Sequence, residues 1–161
     1  LPESFFIRGT DCLGWGTWKR GWDLFTPNSA ELLDQIRAHK LEWTFDFSGS
    51  YPFMKMLEKQ ADGSVSSWAV RWYASALLKG KLTLYPGRSL IFHNGSDGSG
   101  TNYSGDNALD VKLSDRPIVL ERLLLEEDKN ARKAFIGYFR YAMLWHKIQY
   151  RIKSVFQGRK G

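Results

Sequence analysis

The segment after Asp128 constrains this chain most. It holds nine lysines and arginines and no acidic residue. Ala131, Phe135, Tyr138, Ala142, Trp145, Ile152 and Phe156 recur in it at steps of three and four or their sum. That period predicts one long helix over residues 130–156 with a broad apolar stripe. Gly137 is its weak position, because glycine loses the most backbone freedom in a helix. Such a helix has two readings. It lies on an anionic membrane surface, with apolar side chains inserted and Lys/Arg at the headgroups. Alternatively it packs on its own domain and its charges are solvated. The breadth of the stripe and the length of the acid-free flank favour the membrane surface. Nothing here resembles a groove-reading motif, so nucleic acid is not an expected partner.

The 161 residues suffice for one domain with a real core. The part before the basic segment is slightly acidic, so the positive balance is local. A single cysteine, Cys12, excludes an internal disulfide framework and fits a reducing compartment such as the cytosol. No apolar run is long enough to span a bilayer, and Leu1-Pro2-Glu3-Ser4 does not open a signal peptide. A start without methionine leads us to expect a processed chain or a piece of a longer one.

Phe5-Phe6-Ile7-Arg8 reads as a short buried strand. Pro27 and the capping box from Asn28 to Glu31 start a helix that runs to about residue 39, with Leu32, Leu33 and Ile36 on one face. Residues 43–48 alternate aromatic and polar, which predicts an extended segment or loop. Ser50-Tyr51-Pro52 opens a second helix, and Ala61-Asp62-Gly63-Ser64 ends it as a turn. A third helix starts after Ser66 or Ser67, carries Trp68, Trp72 and Ala76 at steps of four, and stops at Gly80. Residues 81–85 and 89–92 read as short strands around the Pro86-Gly87 turn. Residues 93–105 read as a loop, and 118–125 as strand or helix. The fold class is therefore mixed α/β: several helices, a few short strands and a long C-terminal helix.

From Gly9 to Asp23 the chain packs three tryptophans and four glycines into fifteen residues, with Asp11 and Asp23 at either side. Glycines let a backbone turn sharply and approach a ligand. Indoles offer flat apolar faces with one N–H donor. Together they suit a sugar ring, which has an apolar C–H face and a hydroxyl rim. A Gly-rich turn whose tryptophans belong to the core is an equally good reading. Trp68 and Trp72 share a helical face beside Arg71, and spacing alone favours a core stripe with Arg71 on the wet side. Metal-ligand spacings, a P-loop and a Gly-x-Ser-x-Gly elbow are all absent. The stretch from Asp97 to Asn102 could form a backbone nest for an anion, with a plain surface loop the better reading.

Four blocks in order carry a resemblance. They are Phe5-Phe6-x-Arg8-Gly9 running into Gly14-Trp15-Gly16-Thr17-Trp18-Lys19-Arg20-x-Trp22; Ser67-Trp68-Ala69-Val70-Arg71-Trp72-Tyr73-Ala74-Ser75; Leu84-Tyr85-Pro86-Gly87-Arg88-Ser89-Leu90; and Gly95-x-Asp97-x-Ser99-Gly100-Thr101. Together they resemble the second half of bacterial nucleotide-sugar glycosyltransferases of the family-2, GT-A type, over roughly residues 4–120. The resemblance implies transfer from a nucleotide-sugar donor to a glycan or lipid-linked acceptor in surface polysaccharide synthesis, in the cytoplasm or at the inner face of the membrane. Such enzymes bind a divalent metal (Mn²⁺ or Mg²⁺) and the diphosphate through an Asp-x-Asp motif in a Rossmann-like first half. This chain has no such half and shows no ligand set. Residues 1–120 are therefore expected to form the acceptor side, and 121–161 a basic amphipathic helical segment. Where many relatives carry a histidine after Gly-Thr, this chain has Asn102, and where distant relatives carry Gly-Glu-Asp it has Thr17-Trp18-Lys19.

An inverting transfer needs a carboxylate to take the acceptor hydroxyl's proton. Asp11 is the first candidate, Asp97 the second and Asp46 the third. Lys19, Arg20 and Arg71 are candidates to offset charge on the leaving diphosphate. Trp15, Trp18 and Trp22 are candidates for stacking on sugar, and Gly16, Trp68 and Trp72 complete the expected substrate-binding set. The rival class is a non-catalytic carbohydrate-binding or interaction domain using the same tryptophans.

Overall fold

The computed structural model describes residues 1–92 and 111–157, with side chains in the last helix described through Trp145 and at Ile148. The elements run β1 (Ser4–Ile7), α1 (Lys19–Trp22), α2 (Ser29–Ala38), α3 (Glu42–Phe45), α4 (Phe53–Ala61), α5 (Trp68–Leu78), β2 (Thr83–Pro86) and α6 (Lys129–Gln157). This is a mixed fold of helices and one small sheet. β1 pairs antiparallel with β2, Ser4 opposite Pro86 and Ile7 opposite Thr83. A two-stranded ribbon is marginal alone, so it depends on the helices it lies against.

The caps form as their residue types dictate. Asn28 Oδ1 accepts the N–H groups of Ala30 and Glu31 at 3.1 and 3.2 Å, satisfying two donors the helix cannot. Ser67 opens α5 by accepting from Val70 N–H at 3.5 Å. α2, α4 and α5 pack on one another. α5 sits in the middle, which is why every residue from Trp72 to Leu77 is buried. Leu32, Ile36, Phe45, Leu57, Tyr73 and Ala74 fill the space between these helices, and Ile7 joins them from β1. The Tyr73 hydroxyl donates to the Phe45 carbonyl at 3.1 Å. Burial pushes that hydroxyl far above the usual tyrosine range.

Residues 43–48 are not extended. α3 makes one helical turn, and Phe47 and Ser48 then take φ of 47° and 58°. The reversal turns Phe45 and Phe47 both inward, where each is buried. Residues 89–92 do not form a strand either. Ser89 makes one isolated bridge with Leu113, and Leu90, Ile91 and Phe92 stay exposed for want of a neighbouring strand. Residues 118–125 are neither strand nor helix but irregular.

α6 begins inside the same core. Asp128 Oδ1 accepts from Ala131 N–H at 2.7 Å, and Ala131 is fully buried. Phe135 and Phe139 close on Phe47. The Arg132 guanidinium lies 4.3 Å over the Phe47 ring. It also donates to the carbonyls of Thr44 at 2.8 Å and Arg8 at 3.2 Å, and to Glu127 at 3.1 Å. At the far end of the ribbon, Glu3 accepts both terminal nitrogens of Arg88 at 2.7 Å each. Among the described residues no helix is long and apolar enough to cross a membrane.

Candidate functional site

The Gly/Trp loop leaves β1 at Arg8 and folds back over the N-terminal end of α5. Asp11 shapes its first turn: Oδ1 accepts from Cys12 N–H at 2.7 Å and Leu13 N–H at 3.2 Å. Gly14 follows with φ of +58°, and a Cβ there would stand 2.5 and 2.7 Å from Ile91 side-chain carbons. Both conformation and space therefore demand glycine at this position. Gly16 differs. Its φ is not in the left-handed region, and a Cβ would meet nothing within 4 Å.

Trp15, Trp22, Trp68 and Trp72 converge from three elements. Trp15 lies 5.4 Å from Trp68, 5.8 Å from Trp72 and 5.9 Å from Trp22, centroid to centroid. Trp72, only 7% exposed, is the floor. Trp15, Trp22 and Trp68 stand over it at 36–40% exposure, so their outer faces meet solvent. The three tryptophans of the Gly/Trp stretch are therefore not interior filling, and of the α5 pair only Trp72 is buried. Phe25 stacks on Trp22 at 4.8 Å, and the Arg71 guanidinium lies over the Phe25 ring at 5.7 Å. Arg71 donates to the carbonyls of Ser67 and Pro27 at 3.3 and 3.1 Å. Ser75 locks this corner, accepting from Thr26 N–H at 3.0 Å and donating to the Arg71 carbonyl at 2.8 Å.

Trp18 stands apart at 69% exposure, its ring covered by Arg20 at 4.8 Å. Lys19 pairs with Asp23 at 2.8 Å in a largely exposed contact. Such a pair contributes little to stability, and a ligand anion could take the lysine over at small cost.

Beside Trp15 opens a cleft of about 710 Å³. Asp11, Trp15 and Gly16 line one side, the chain from Thr83 to Ile91 another, and Phe135 and Tyr138 of α6 a third. A volume of this order fits a ligand of one or two sugar rings. Tyr85 packs against Phe5 and Phe135 and reaches the Asp11 backbone. Burial pushes its hydroxyl above the usual range, the Asp11 carboxylate adds to the rise, and a hydrogen bond with the Asp11 backbone opposes it. The phenol is neutral throughout the physiological range.

Asp97 lies outside the described residues. Asp46 is remote in role: its Oδ1 accepts from Met54 N–H at 2.7 Å and starts α4. Burial raises its pKa, and its bonds from Met54 and Phe53 N–H oppose the rise. Sequence reasoning missed Tyr85, Phe135 and Tyr138 as walls of the cleft. The last two were visible only as members of a helical stripe. Among the described residues no three His, Cys, Asp or Glu side chains converge as metal ligands. No family model, curated protein or solved structure matches the chain.

Proposed function

We propose that this chain is the acceptor side of a nucleotide-sugar glycosyltransferase of the family-2, GT-A type, active in the cytoplasm on glycans of the bacterial surface. The observation that carries the reading is Trp15, which lines the same cleft as Asp11 and is continuous with the partly exposed indoles of Trp22 and Trp68. A sugar stacks its C–H face on indole, which is apolar and electron-rich, and turns its hydroxyls outward. Gly16 leaves the cleft wall open where a side chain would cost the fold nothing, as a close approach by ligand requires.

The chemistry follows from the positions. Asp11 holds its loop through Oδ1, which leaves Oδ2 for an acceptor hydroxyl. In an inverting transfer the hydroxyl oxygen bonds to the anomeric carbon, its proton passes to the carboxylate, and the old C–O electron pair leaves with the nucleoside diphosphate. Lys19 and Arg20, both exposed near the indoles, offset the charge on that leaving group. Arg71 orients the Phe25–Trp22 stack.

The test is calorimetry of the complete gene product with UDP or GDP and Mn²⁺, together with saturation-transfer NMR using lipopolysaccharide-core oligosaccharides. Binding of both supports the transferase. Oligosaccharide binding without nucleotide would make the tryptophans a non-catalytic carbohydrate platform. Binding of neither ends the reading.

A further inference from the structure

Past its first turns α6 presents a face that nothing in the described fold covers. Ala131, Phe135, Ile136 and Phe139 turn toward the core. On the other side Tyr141, Leu144, Trp145 and Ile148 follow at steps of three and four and are 39–61% exposed. Tyr141 and Trp145 meet edge to face at 6.1 Å, so the stripe is one continuous aromatic and aliphatic surface. Lys129, Lys133 and Arg140 are exposed on the same helix, and no acidic residue follows Asp128 anywhere in the chain.

We propose that this face of α6 docks in the plane of an anionic lipid surface. The indole and phenol rings carry an apolar body and a polar edge, the combination that settles at the headgroup boundary. The cations flank the stripe where acidic headgroups would lie. α6 is not apolar enough to cross the bilayer, which leaves it lying in the interface. A second copy of the chain is a poor occupant. Two acid-free helices facing each other would set Lys and Arg against Lys and Arg with no carboxylate between them. An anionic bilayer supplies the missing charge.

The docking does not depend on what the cleft binds. One corollary does rest on the proposed function: Tyr138 lines the cleft one turn before Tyr141, so a docked α6 holds the cleft beside the lipid. A saccharide acceptor carried on a lipid would then reach Asp11 without leaving the bilayer.

The experiment is co-sedimentation of the full chain with phosphatidylcholine vesicles, with and without phosphatidylglycerol. We expect binding to the mixed vesicles alone, weakening as salt rises. The triple variant Tyr141→Ser/Trp145→Ser/Ile148→Ser changes only exposed side chains, and circular dichroism and a thermal melt confirm that it folds. It should lose binding by about a hundredfold or more. Lys133→Gln and Arg140→Gln should each weaken it about fivefold. Equal sedimentation with neutral vesicles, or an unchanged triple variant, overturns the proposal. So does failure to sediment, whether ultracentrifugation then finds a monomer or a dimer that the triple variant abolishes. Oligosaccharide binding by the triple variant, measured separately by NMR, keeps the fate of the cleft reading distinct.

Discussion

Gly14 and Gly16 are two residues apart in one loop, yet alanine should affect them in opposite ways. At Gly14 the methyl must adopt φ of +58°, which costs about 1 kcal/mol for a residue with a Cβ. It must also move Ile91, whose side-chain carbons stand 2.5 and 2.7 Å from the new atom. Ile91 is partly solvent-exposed and can yield, so overpacking adds about 1 kcal/mol. Gly14→Ala should therefore destabilise by about 2 kcal/mol. With a urea m-value of about 2 kcal/mol/M, Cm falls by about 1 M. At Gly16 the added Cβ meets nothing within 4 Å. Gly16→Ala should stay within about 0.5 kcal/mol of the parent. Its effect belongs to the ligand: a methyl placed between the loop and a bound sugar should cost about 1–3 kcal/mol of binding, or roughly fivefold to 150-fold. Urea denaturation followed by tryptophan fluorescence measures the first quantity, and NMR titration with oligosaccharide the second. A Gly16→Ala variant as unstable as Gly14→Ala would refute the reasoning, because the glycine would then serve the fold. A variant neutral in both assays would show that the wall touches no ligand.

Arg132→Met should loosen the base of α6 by about 2–3 kcal/mol, since Glu127 and two carbonyls lose a largely buried partner. The melting temperature should drop by about 5–10 °C, and a shift under about 2 °C would count against the clasp. The hydrogen bonds from Arg88 hold the Glu3 carboxyl below the usual glutamate range, with Val119 N–H assisting. Stability from a depressed carboxyl is complete above its unfolded pKa and is lost as pH falls through the folded one. Denaturation midpoints should therefore decline between about pH 5 and pH 3, and Glu3→Gln should decline less steeply; parallel curves would exclude this role. Burial, and secondarily the Asp11 carboxylate, raise the Cys12 thiol above its usual value. Iodoacetamide should label it more slowly at pH 8 than a cysteine peptide, and Asp11→Asn should speed the labelling, because only the thiolate reacts.

Elements whose cause is local were legible in the sequence. Asn28 and Ser67 announce their helices by capping chemistry, and the three-and-four spacing after Asn130 announces α6. Residues 43–48 were not legible, because no local signal marks Phe47 for a positive φ. That backbone is tolerated only because Phe53, Tyr73, Phe135 and Phe139 surround the ring it buries. The strand expected at 89–92 shows the reverse error: alternation states what a strand could present, but a strand exists only with a partner, and β1 has already taken β2. At the site, both tryptophan stretches could be read singly. That Trp15 and Trp22 would meet Trp68 and Trp72 depends on how α5 packs against α2 and α4, which spacing does not encode. The approach of Tyr85 to Asp11 is likewise set by β1–β2 register and not by any motif.

The β1–β2 ribbon also sets the order of assembly. Its strands are the first and seventh elements of the chain, with five helices between them. Joining ends so far apart costs chain entropy before any strand bond repays it. The intervening helices must condense first, and the ribbon then seals the bundle late in folding. Substitutions at Glu3 or Arg88 should consequently accelerate unfolding while leaving the refolding rate nearly unchanged.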